Sequence, residues 1–230
     1  MATLEILSLK DSNETLHFFE QIKNLNSMKA TQKGYVNYNK ISLEYPDEQH
    51  NFILENICDR ISAFMKFRVL DLSLGDIKLD IYDKYALLGA LLSVDKENDV
   101  KTILQSIFKL KILCVESLFE LRLCTLRNCW ERLGGLAKSL ISGITSKGEL
   151  YELITYFMSN YDKCNRLVIT DSDPTKIIVN GEFLSPYPFT NSNDYNLLVS
   201  VMRESPTNIV IKNQDSISPK LIETFRALGQ

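Results

Sequence analysis

Between Phe119 and Ile144 an apolar residue returns at every third or fourth position: Phe119, Leu123, Leu126, Trp130, Leu133, Ala137, Leu140 and Ile144. Alternating steps of four and three hold these side chains within a band about 100° wide on a helical wheel. A strand cannot show this pattern on one face, because its side chains alternate with period two. The chain must therefore build a helical layer. Only about four heptads are covered, so the layer reads as bundle core rather than extended coiled coil. Gly134 and Gly135 fall in the middle and are expected to kink or break the helix.

Further helical signals surround this run. In "DEQHNFILENICDRISAFMKFRVLDL", Asp47 is placed as a cap, Glu48 favours the positive helix start, and Ile53, Ile57, Ile61 and Phe64 or Met65 form a stripe. "YDKYALLGALLSV" reads as a second helix, and a third begins near Asn98 in "ENDVKTILQSIFKLKI". Another opens at "SKGELYELITYFM", where Ser146 and Glu149 have the spacing of a capping box.

The two ends read differently. "LEILSL" is a β-type run. "DSNETLHFFEQIKNL" follows as a helix capped by Asp11 or Ser12, and "YVNYNKISLEYP" alternates up to Pro46, with a hairpin expected around Asn39. After Lys163 the period shortens again. "RLVIT" is a strand, and Asn180-Gly181 between β-formers in "KIIVNGEFL" signals a type I′ hairpin. "NSNDYNLLVSVMRESP" is an amphipathic helix. "TNIVIKN" has so little polar interruption that it is expected to be a central strand. Ser218 caps a last helix with Pro219 in its first turn. The expected fold is α+β: a β-α-β segment over 1–46, a helical region over 47–162, and a β-β-α-β-α region over 163–230. Whether the two strand-rich ends share one sheet stays open at this point.

Charge and cysteine usage exclude several classes. The net charge is −3, so no global field draws nucleic acid or acidic lipid. "SIFKLKILCVESLFELRL" is interrupted by Lys109, Lys111, Glu116 and Glu120 and fails as a membrane span. The start lacks the basic and apolar regions of a signal peptide, which points to the cytoplasm. Five scattered cysteines, Cys58, Cys114, Cys124, Cys129 and Cys164, argue against a disulfide framework and read as core or surface thiols.

Catalytic signals are sparse. The loops "KNQDSISPK" and "TDSDPTK" lack the glycines of a phosphate cradle, and no cofactor is expected. Asp171 and Asp173 stand at a strand end, where two carboxylates could hold a divalent metal, although the same stretch reads as a turn before Pro174. His17 and His50 accompany no nucleophile motif. Arg122 lies at the edge of the Phe119–Ile144 stripe. It is expected to be buried at its base, either in a core-edge ion pair or as a contact for an anion or partner.

The segment from Glu116 to Ser159, with Leu121-Arg122-Leu123 and then Glu152-Leu153-Ile154 and Phe157, resembles the YtxC-like family of putative sporulation proteins. Pro206, the run Ile209, Val210 and Ile211, and then Ile222, Glu223 and Thr224 resemble that family's C-terminal strand and helix. Leu121 stands where the family has an aromatic residue, and Lys212 where a histidine is expected. The resemblance implies a cytoplasmic protein of a spore-forming bacterium and no particular reaction. The expected role is a sporulation-associated, non-catalytic protein-interaction module with a protein partner and no nucleic acid. The rival readings are a metal-assisted hydrolase using Asp171 and Asp173, and a viral or plasmid-encoded accessory binding protein.

Overall fold

The computed structural model describes residues 1–9, 29–159, 167–170, 176–212, 214 and 217–229. The fold is α+β, and the chain forms two compact units. The first takes 1–66 and 96–130, the second 67–95 and 131–230, so each unit is assembled from separated stretches that cut across a simple N-terminal, middle and C-terminal division.

The first unit carries a sheet of β1 (Ala2–Leu9), β2 (Lys29–Gly34), β3 (Tyr38–Tyr45) and β4 (Ile112–Cys114), in the order β2-β3-β1-β4. β1 and β3 run antiparallel with Leu4 opposite Leu43, Ile6 opposite Ile41 and Ser8 opposite Asn39, and β4 joins β1 in parallel. Those six residues are all buried, so the period-two alternation puts one face of β1 and β3 into the core. The hairpin turns at Tyr35, whose N–H bonds to Tyr38 O at 2.8 Å, and not at Asn39, which lies buried within β3. The helix expected over 11–25 lies outside the described residues.

Helix α1 (His50–Ser73) begins in the first unit, where it lies beside α3 (Lys96–Ile107). The two are antiparallel. Lys66 near the far end of α1 meets Asp99 at the start of α3, while the His50 and Phe108 rings meet at the other end, 6.1 Å apart. α4 (Val115–Leu121) and the start of α5 (Cys124–Ile141) complete this unit. The long stripe is thus divided between two helices: the N–H groups of Arg122 and Leu123 both bond to Leu118 O, at 2.9 and 3.0 Å, which ends α4. Gly134 and Gly135 do not break α5.

The second unit is built around α2 (Ile81–Ser93), buried continuously from Ala86 to Ser93. α7 (Asn193–Arg203) crosses it so closely that a Cβ on Gly89 would sit 2.6 Å from Met202 Cβ and 2.7 Å from Val199 O. α5 makes a second close approach: a Cβ on Gly134 would lie 2.6 Å from Ser73 Cβ. The buried side of α5 here follows Gly134, Ala137 and Ile141, leaving Leu140 exposed. α6 (Lys147–Ser159) starts with Glu149 N–H bonded to Ser146 Oγ at 3.3 Å, while the Glu149 carboxylate reaches back to Thr145 N–H at 2.8 Å.

A second sheet holds β5 (Leu167–Thr170), β6 (Lys176–Val179), β7 (Glu182–Leu184) and β8 (Ile209–Ile211), in the order β7-β6-β5-β8. Strands of the N-terminal and C-terminal regions therefore lie in different sheets. The C-terminal order has one strand more than expected, because the hairpin contributes two: β-β-β-α-β-α. Asn180 and Gly181 adopt φ of 51° and 93°, the positive pair that a type I′ turn needs. β8 is an outer strand of this sheet, not a central one. Its three residues are only half-buried, and Ile209 lies against Gly229 beyond α8 (Pro219–Leu228). Ser218 Oγ caps α8 by accepting from Leu221 N–H at 3.3 Å, with Pro219 in the first turn.

Candidate functional site

The sequence directs attention to Arg122, and the structure corrects its environment. Because α4 ends at Leu121, Arg122 leaves the apolar stripe and is exposed rather than buried. Its guanidinium does find a helix-end carbonyl: Nη1 donates to Ser106 O, in the last turn of α3, at 3.3 Å. Exposure removes the reason to expect a large loss of stability on truncation, since exposed polar contacts contribute about 0–1 kcal/mol.

This placement sets Arg122 on the rim of a hollow of about 510 Å³ in the first unit. Leu104, Phe108 and Leu110 give the hollow its apolar lining, and Lys109 adds a second cation. Phe108 is 52% exposed, and Leu121, next to Arg122 in sequence, is 79% exposed. Among the described residues neither Lys109 nor Arg122 is paired with a carboxylate. The local combination is apolar surface bordered by two cations, able to desolvate an apolar side chain and to receive a carboxylate beside it.

The structure gives the other sequence candidates little in common with this hollow. Asp171, Asp173, His17 and Cys164 lie outside the described residues. His50 is part of the fold: its Nδ1 is 3.1 Å from Tyr45 Oη, and the two rings stack at 5.8 Å. Cys58 is buried, and desolvation pushes its thiol up to about 12, with the Asp59 and Glu55 charges adding to the effect. Cys124 and Cys129 are exposed. Among the described residues no cluster of three or more His, Cys, Asp and Glu side chains is arranged to hold a metal.

Sequence reasoning missed a polar cluster in the second unit, where the starts of four helices meet. Asp80 caps α2 and pairs with Lys220 of α8 at 2.7 Å. Tyr82 Oη reaches Asp194 of α7 and Ser218, both at 3.2 Å. Asp83 accepts from Tyr151 Oη at 2.9 Å and pairs with Lys147 at 3.3 Å. The hydrogen bond from Lys220 holds the Asp80 carboxyl below its ordinary range, and the same bond raises Lys220. Tyr151 raises Lys147, while burial raises Tyr151 itself. These groups satisfy one another, so the cluster fastens helix ends together. Only its cap residues had a sequence signal. The pairs join residues as far apart as Asp80 and Lys220.

No known protein family, curated protein or solved structure matches this chain. No helix among the described residues is long and apolar enough to cross a membrane.

Proposed function

We propose that this chain is a non-catalytic protein-interaction module, acting in the cytoplasm of a spore-forming bacterium, and that its partner docks an acidic, apolar segment at the Arg122 hollow. One observation carries the reading: Lys109 and Arg122, without a carboxylate partner among the described residues, flank exposed Phe108. Exposed apolar surface rimmed by polar groups is characteristic of protein contact sites, and unmatched cations select a complementary charge. The resemblance around Leu121-Arg122-Leu123 supports the sporulation context and falls on the same rim.

The test is complementation in a spore-forming host lacking the native gene. The Lys109→Glu/Arg122→Glu variant, at normal level and with an unchanged melting temperature, should lower the heat-resistant spore count to that of the deletion strain. Asp171→Asn/Asp173→Asn should support sporulation as wild type does. The opposite pattern would overturn the module in favour of the hydrolase, and a deletion strain that sporulates normally would remove the sporulation role.

A further inference from the structure

β4 closes the first sheet on the side opposite β2, and among the described residues no strand lies beyond it. Its register with β1 decides which backbone groups this edge shows. Glu5 N–H bonds to Lys111 O at 2.9 Å, and Glu5, Ile6 and Leu7 lie opposite Ile112, Leu113 and Cys114. Along a strand, alternate residues turn their N–H and C=O to one neighbour and the residues between turn theirs to the other side. Lys111 and Leu113 therefore serve β1, while Ile112 and Cys114 point theirs outward. The Cys114 carbonyl belongs to the start of α4, where Cys114 is the N-cap. That leaves the Ile112 N–H, the Ile112 C=O and the Cys114 N–H on the edge, with Ile112 itself 55% exposed.

The chain enters β4 directly from the Arg122 hollow. Leu110, two positions before Ile112, lines that hollow with Leu104 and Phe108, and Lys111 between them is exposed. Lys109, Lys111 and Arg122 thus stand by the start of β4, and among the described residues none of them pairs with a carboxylate. The nearest carboxylates along the chain, Glu116 and Glu120, belong to α4, and Glu116 accepts from Ser8 Oγ at 3.2 Å. We infer, resting on the interaction-module reading, that the partner's acidic, apolar segment binds as an extended strand added to the edge of β4. An apolar side chain of that strand fills the hollow, and its carboxylates meet Lys109, Lys111 and Arg122. Two observations select this occupant. The outward N–H and C=O groups match the main chain of an extended peptide, with the hollow as a pocket for one side chain, whereas a helix satisfies its own backbone and leaves those groups unused. The three cations set the sign of its charge.

The test starts from random twelve-residue peptides displayed on phage and selected on the full chain, keeping those that no longer bind Lys109→Glu/Arg122→Glu. The kept peptides should carry Asp or Glu beside Leu, Ile or Phe. They are then synthesised with each backbone amide N-methylated in turn and measured by fluorescence anisotropy. An added strand turns every second amide to β4, so methylation should weaken binding about tenfold at alternate positions and be tolerated at those between. Ile112→Pro deletes the outward N–H and spares the bonds to β1, a substitution that edge strands accept. With unchanged circular dichroism it should weaken binding by a similar factor. The methylation scan leaves the protein untouched and decides the matter if Ile112→Pro does not fold. A scan without alternation, or full-strength binding to folded Ile112→Pro, would overturn strand addition and leave the hollow as a contact site. If no selected peptide depends on Lys109 and Arg122, the inference and the interaction-module reading both fail.

Discussion

Lys66 offers a sharp test of the first unit. Its ammonium is 2.7 Å from Asp99 Oδ2, and the two side chains are 1% and 5% exposed. The same oxygen accepts from Trp130 Nε1 at 3.1 Å, and Trp130 also packs against Phe119 at 5.4 Å between ring centroids. Lys66→Met removes this cation from a buried carboxylate to which Trp130 also donates. Breaking one side of a buried pair costs about 3–5 kcal/mol, a large part of the ~5–15 kcal/mol that holds an ordinary domain together. Trp130→Phe keeps most of the packing and loses one hydrogen bond to a charged acceptor, about 1.5–3 kcal/mol. The triple change Lys66→Met/Asp99→Leu/Trp130→Phe removes every polar member of this set and should recover most of the loss, because an apolar replacement leaves no stranded charge. Urea unfolding at pH 7 measures all three, by circular dichroism throughout and also by fluorescence where the sole tryptophan is kept. A Lys66→Met loss below about 1 kcal/mol, or a triple variant no more stable than Lys66→Met, would refute the reasoning.

Three further outcomes are expected. Gly89→Ala should lower stability by about 1–3 kcal/mol, because the added methyl meets Val199 backbone that cannot turn aside, whereas Gly135→Ala, with open space around it, should raise stability by about 0.5–1 kcal/mol; thermal melts of the pair read both signs. Gly181→Val should weaken the β6–β7 hairpin by about 1–2 kcal/mol, since φ of 93° is strained for a β-branched residue; an unchanged melting temperature would speak against the turn. Cys58, pushed up to about 12, stays a protonated, shielded thiol at pH 8, so iodoacetamide followed by mass spectrometry should label Cys124 and Cys129 first and reach Cys58 only after unfolding.

Elements with a strong local signal were legible in the sequence. The stripe Ile53–Ile61 marked α1, Ser218-Pro219 marked the start of α8, and Asn180-Gly181 marked its turn, because each depends on residues within a few positions. What failed depended on distant partners. β4 has three residues and exists because β1 offers an edge more than a hundred positions earlier, so its sequence read as the end of a helix. The break at Arg122 has no glycine or proline to announce it, and the uninterrupted stripe suggested burial for a side chain that stands in solvent. β8 looked central because its run is apolar, yet among the described residues it pairs with β5 on one side and is the outermost strand of its sheet. Gly134 looked like a defect and is a point of close packing against Ser73. At the Arg122 hollow, Arg122 and Lys109 drew notice from sequence as cations of the middle helices. Their meeting with Leu104, Phe108 and Leu110 did not, because no spacing along the chain reveals that Arg122 comes to the end of α3.

The outermost strands of the two sheets bear on how this protein behaves when concentrated. A bare strand edge is a template on which another chain can grow, and repeated growth ends in fibres. β7 offers three residues, and the chain beyond it runs Ser185-Pro186-Tyr187-Pro188, where each proline lacks the N–H that a lengthening ladder requires. β2 presents exposed Lys29 and Lys33, whose charges repel the like edge of a second molecule. At the β2 and β7 edges, linear assembly is thereby denied a long rail along which to advance.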